Sequence, residues 1–217
     1  MSSTIITIIR HGQVHNPQSV VYGRLPGFGL SDFGKRQVES ASLHCQRMNF
    51  TALYSSPMLR ARETAEIIGY YHPHLEVNIA EAINEVVFKF EGEPMDNLSS
   101  RGWDLYTGVG SGYEQPGDII LRVKPFLDTL RERHQNEHIA LVTHGDVIAF
   151  TILWISGREL TPKNKHTLDT LGFEDDYPAP ASLTHLTYST IDPDEKPLIN
   201  YVKPYDAFLD DRGVSPR

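Results

Sequence analysis

Two aliphatic runs in this chain lack any polar–apolar alternation: residues 4–9 read TIITII and residues 138–142 read HIALV. A strand that is apolar on both faces must be covered on both, as a central strand of a parallel sheet is when helices pack above and below it. Both runs stop at a polar cluster of the same kind. Arg10-His11-Gly12 follows the first, and Thr143-His144-Gly145-Asp146 follows the second. Any fold for this chain must therefore bring two histidine–glycine pairs to strand ends.

The remaining segments alternate between strand and helix character. Residues 16–30 hold two prolines and three glycines and read as a loop. Ser31 suits an N-cap for a helix over residues 32–48. A strand at 52–55 leads through Ser56-Pro57 into a helix carrying Arg60, Ala61, Ala65 and Ile67, and 75–79 reads as a third strand. Residues 88–118 are rich in Gly, Pro, Asp and Ser and read as long loops with one short helix at 98–106. Helical spacing returns at Ile119, Val123, Phe126, Leu127 and Leu130. A further helix runs to Ile155, residues 157–180 are loop-like, and strands at 183–188 and 198–202 close the chain. This order predicts one α/β domain over residues 1–217: a three-layer sandwich with a mostly parallel central sheet and helices on both faces.

Composition narrows the function classes. A length of 217 residues is enough for a full core, and 40% hydrophobic residues is ordinary for a globular protein. A formal charge of -8 argues against nucleic acid or an acidic membrane as the main partner. The single Cys45 cannot form an internal disulfide, and residues 5–9 are too short for a signal-peptide core, so a cytoplasmic setting is the expectation.

In an open parallel sheet, ligands bind beyond the carboxyl ends of the strands. His11 and His144 are then expected on the same edge, each beside a glycine that lets backbone approach a ligand. Arg60 stands where a helix begins after a third strand, and Arg10 adds a second guanidinium. Two arginines and two histidines gathered there suit a tetrahedral dianion. The other eight histidines, His15 included, read as surface or structural.

Four segments, in order, carry a resemblance: Arg10-His11-Gly12; Ser55-Ser56-Pro57 with Arg60 and Thr64-Ala65; Asn84-Glu85; and Val142-Thr143-His144-Gly145. Over about residues 5–155 the chain resembles the phosphoglycerate mutase-like histidine phosphatases. The resemblance implies that His11 takes the phosphoryl group of a small phosphorylated substrate. Glu85 would protonate the leaving oxygen and then deprotonate water, while Arg10, Arg60 and His144 hold the equatorial oxygens. No metal or other cofactor is implied. The flanking arginines disfavour protonation of the attacking imidazole.

The chain also departs from the family pattern. The family's asparagine six residues beyond the nucleophile is Pro17 here; Asn16 stands one position early, and His15 is a possible substitute. The glycine expected after the acid is missing from Val86-Val87-Phe88-Lys89-Phe90, and Glu81, Glu91 and Glu93 lie near enough to compete with Glu85 for its role. Gly23-Arg24 matches a substrate-side turn in part of the family, so Arg24 is a candidate for a second anionic group, and Gly145 a candidate backbone contact. Alternatives to a phosphatase are a phosphoglycerate mutase and a pseudoenzyme that binds a phosphorylated ligand. A metallohydrolase ranks last, because no HExxH spacing occurs and His11 and His144 are each followed by Gly rather than by another ligand. A mutase must shield its phosphoenzyme, and the short, glycine-rich stretch from Glu85 to His144 suits an open or mobile mouth instead.

Overall fold

The computed structural model describes residues 3–205. Six strands form one sheet: β1 (Thr4–Arg10), β2 (Phe50–Ser55), β3 (Val77–Ile79), β4 (His138–Thr143), β5 (Leu183–Tyr188) and β6 (Leu198–Val202). Their order is β3-β2-β4-β1-β5-β6, and β5 alone runs against the others. The unalternating runs of β1 and β4 lie side by side at the centre, paired in parallel from Ile5 opposite His138 to Arg10 opposite Thr143.

Successive side chains of a strand face opposite layers, and the core divides accordingly. Ile139 and Leu141 of β4 pack with Ile6 and Ile8 of β1 against α4 (Pro116–Arg133) and α5 (Gly145–Ile155). Ala140 and Val142 face the other way with Ile9, against α1 (Asp32–Cys45) and α2 (Leu59–Tyr70). Residues 4–9 and 138–142 avoid alternation because both of their faces are core. The mostly parallel three-layer sandwich is as expected.

Several boundaries differ from the sequence reading. Ser31 does cap α1, accepting from the Gly34 N–H, but the helix stops at Cys45, three residues short of 48. The second strand starts earlier, at Phe50, and the third shrinks to Val77–Ile79. The short helix expected over 98–106 is α3 (Met95–Ser100): it follows Pro94 and gives way to Gly102 at positive φ. Leu105 and Tyr106 are buried as loop residues rather than as a helix face. The mouth is less free than its glycines imply. Val21 N–H donates to Glu93 O, Gly92 N–H to Val21 O and Met95 N–H to Ser19 O, so the loop after β1 is laced to the segment preceding α3. Among the described residues no helix is long and apolar enough to cross a membrane.

Candidate active site

Three neighbouring parallel strands deliver the site. The residues just past the ends of β2, β4 and β1 are Ser56, His144 and His11, and backbone bonds fix their stagger: Ser56 N–H to Val142 O (2.9 Å) and His11 N–H to Thr143 O (3.0 Å). The two imidazoles lie 5.2 Å apart between ring centroids. His11 is buried, and its Nδ1 lies 2.8 Å from Gly12 O, an acceptor only, so Nδ1 carries the proton and Nε2 keeps its lone pair. Burial first, then Arg60 and Arg10, hold the His11 pKa well below the ordinary value, so the ring is neutral.

Arg60, on the first turn of α2, is 1% exposed and ties the site together. Its Nε donates to His11 Nε2 at 3.2 Å, and its Nη2 reaches Glu85 Oε2 at 3.0 Å, Gly23 O at 2.9 Å and His144 Nδ1 at 3.2 Å. Tyr22 lies beneath the guanidinium, 4.8 Å from ring centroid to Cζ. Ser56 Oγ, 2.7 Å from His144 Nε2, orients the second imidazole. Burial, followed by Arg60 and His11, keeps that ring neutral as well.

Glu85 arrives from the 3-10 turn Glu81–Ile83, which Thr143 anchors by donating its hydroxyl to Ile83 O. The Glu85 side chain is 13% exposed, lies 3.2 Å from His144 Nδ1 and accepts the Val86 N–H. Its pKa is raised by burial, which outweighs the opposing Arg60 and the Val86 N–H. Of the neighbouring acids, Glu81 accepts from Asn84 Nδ2 and Glu91 from the Arg24 N–H, so both are occupied outside the histidine pair.

The other residues named from sequence take different places. Arg10 lines the cleft with its guanidinium over Tyr177; Nη1 donates to Pro178 O, and Nε is buried without a partner. Gly23 contributes its carbonyl to Arg60. At φ +41° and against Phe88 and Glu91, it leaves no room for a side chain. Gly145 opens α5 at the cleft, where a Cβ would collide with the Tyr177 hydroxyl. Asn16 is turned to its own loop: its amide both donates to Val20 O and accepts the Val20 N–H. His15 is exposed. Arg24 is directed away from a second-anion role, because Nε donates to Glu85 O at 2.7 Å and Nη2 faces Glu114 at 3.6 Å. It braces the backbone of the acid.

One cluster escaped the sequence reading. Asp146 and Lys165 form a buried ion pair at 2.8 and 3.0 Å, and Tyr106 (2.5 Å) and Tyr177 (2.6 Å) donate to the same carboxylate. The only trace in the sequence is a single charge in the otherwise apolar α5. Lys165, 19 residues away, carries no signal of its own.

His11, Glu85 and His144 also present ligand atoms within 4.8 Å of one another, a donor set that zinc accepts. The Arg60 guanidinium already serves all three atoms.

Comparison with known proteins agrees with this geometry. The sequence pattern of the histidine phosphatase superfamily, branch 1, matches residues 6–186. An uncharacterised protein of Mycobacterium tuberculosis is 31% identical over 164 residues, 72% of this chain and 81% of that protein. Fructose-2,6-bisphosphatase TIGAR B of Danio rerio is 29% identical over 147 residues, 64% of this chain and 57% of that protein. Among solved structures, a mycobacterial glucosyl-3-phosphoglycerate phosphatase superposes with a TM-score of 0.71 at 21% identity, covering 92% of this chain and 97% of that one. At that identity the likeness speaks for the fold.

Proposed function

Because the chain belongs to the histidine phosphatase superfamily, we propose that it hydrolyses a small phosphomonoester through a phosphohistidine on His11 Nε2, without a metal. The observation that carries this reading is the His11 tautomer. With Nδ1–H committed to Gly12 O, the lone pair of a neutral imidazole stands at Nε2 beside the Arg60 guanidinium.

In the first step Nε2 attacks phosphorus, the ester P–O bond breaks, and Glu85 gives its proton to the departing oxygen. The raised pKa of Glu85 fits it for this role. Phosphorylation leaves the imidazole cationic, with Nδ1–H still donating to Gly12 O. Arg60, Arg10 and His144 surround the place where equatorial charge develops. In the second step Glu85 takes a proton from water, the oxygen attacks phosphorus, and the P–N bond breaks. Inorganic phosphate leaves and His11 is again neutral. The presence of phosphatases among the relatives supports hydrolysis over transfer.

The test is p-nitrophenyl phosphate turnover in excess EDTA. Activity should persist there and vanish in His11→Ala. Quenching during turnover should trap an acid-labile, base-stable phosphoenzyme. Loss of activity in EDTA with recovery on added zinc or magnesium would overturn the mechanism.

A further inference from the structure

The cleft at His11 opens into a larger lobe of about 380 Å³, walled on one side by Tyr22, Met95, Leu98, Trp103 and Leu105. Resting on the phosphatase reading, we propose that this lobe receives the alcohol part of the substrate, and that the alcohol is uncharged and carries an aromatic ring packed against Trp103.

Charge is the first argument. Lys165, on the opposite wall, is clamped by both oxygens of Asp146, and two tyrosine hydroxyls complete that carboxylate. An anion drawn to Lys165 would face the Asp146 charge and disrupt a buried, fully bonded network. Arg24 and Arg122 are spent on Glu85 O, Ala82 O and Glu114. Arg10 and Arg60 border His11 itself, where the phosphoryl group lies. Beyond Trp103, Arg101 and Lys163 are offset by Asp104 and Asp176 along the same rim. Arg10 lines both the His11 cleft and the lobe, so a carboxylate or second phosphate on the alcohol would have to share that one guanidinium with the phosphoryl group and with Pro178 O.

Trp103 is the second argument. It sits at φ +61°, directly after Gly102 at φ +64°, a backbone region that bulky side chains rarely occupy. Its N–H is held by Leu98 O at 3.0 Å, yet the indole remains 39% exposed at the mouth instead of repaying the strain in the core. Such a side chain is placed for contact with something that enters. Opposite it, the His166 ring lies tilted against Tyr177, 4.9 Å between ring centroids, and leaves Nε2 buried without a partner, one hydrogen-bonding site for a hydroxyl or carbonyl of the same alcohol.

Three esters of one leaving-group type separate these effects: propyl, 3-phenylpropyl and 3-carboxypropyl phosphate. The kcat/KM for the phenyl ester should exceed that for propyl on the order of 10-fold, the gain expected from burying one ring. The carboxyl ester should fall below propyl. Trp103→Gly suits the left-handed backbone and so preserves the fold; it should bring the phenyl-to-propyl ratio close to one through KM, whereas Trp103→Phe should keep most of it. Calorimetric binding of the three esters to His11→Ala reads the same order without turnover, so the inference is tested even if the phosphohistidine mechanism fails. A phenyl-to-propyl ratio near one in the unmodified protein, a preference for the carboxyl ester, or a ratio unchanged in Trp103→Gly would overturn it.

Discussion

The guanidinium of Arg60 reaches both site histidines, the acid and a loop carbonyl from one buried position. A lysine is a point charge on a flexible stem and cannot hold that planar set of contacts. Arg60→Lys should therefore lower kcat/KM by about 10²-fold or more and weaken inhibition by inorganic phosphate in the same assay. Glu85→Gln should slow alkyl esters far more than p-nitrophenyl phosphate, by about 10²-fold more in phosphoenzyme formation, since only poor leaving groups need the proton. The pH profile follows from the same two groups. His11 must be neutral, which its lowered pKa secures into acid solution, and Glu85 must start protonated, which its raised pKa extends toward neutrality. Rate with alkyl esters should thus fall as pH rises through the Glu85 pKa, and Glu85→Gln should abolish that limb. Arg24, named from sequence for a second anion, instead holds the Glu85 carbonyl. Arg24→Ala should reproduce a mild Glu85→Gln, hurting alkyl esters more than aryl ones; loss confined to doubly anionic substrates would restore the earlier assignment.

At the level of elements, what could be read from the sequence depended on how local the cause was. His11 and His144 were legible because the strands that deliver them are buried on both faces and therefore written without polar alternation; Arg60, on the first turn of α2, was legible from its place just after the strand that ends at Ser55. Glu85 was legible only through its place in a motif, with three other glutamates nearby, since the bonds that single it out come from Arg60, His144 and Thr143 on other elements. The Asp146–Lys165 pair and the placing of α3 depend on tertiary packing and left almost no local trace. The sheet also carries a feature visible only across strands. Thr7 Oγ1 on β1 lies 2.7 Å from both His138 Nε2 on β4 and His185 Nδ1 on β5, with His72 also nearby across the Phe50 ring. Burial, then His185 and His72, push the His138 pKa down to about 4 from an ordinary 6.5. Between those values the unfolded chain binds a proton that the folded one refuses. Stability should be complete above pH 6.5 and decline as pH falls toward 4. Urea midpoints measured at pH 7.5 and 5.0 should show the drop, and His138→Gln, which keeps a partner for Thr7, should reduce it. An equal drop in the variant would assign the acid sensitivity to other groups.

Across the whole molecule, the question is where the phosphoryl group goes after His11 has taken it. A mutase has to retain its acceptor while the phosphoenzyme waits, and for phosphoglycerate that means holding a carboxylate near the site. The outer lobe has its one lysine sealed by Asp146 and an apolar wall facing it, which is poorly suited to retaining such an anion. The loops at its rim are laced between Ser19 and Met95, and the lobe is open past Trp103, whose side chain is partly exposed at the mouth. Both points favour water as the acceptor. In a mixture of 3-phosphoglycerate and catalytic 2,3-bisphosphoglycerate, no 2-phosphoglycerate should accumulate. During p-nitrophenyl phosphate turnover, free phosphate should match nitrophenol released, and an added alcohol should divert only a minor share of it. Rapid isomerisation with little phosphate release would make the protein a mutase, with His11 still the residue phosphorylated and the acceptor, not the chemistry at phosphorus, misassigned.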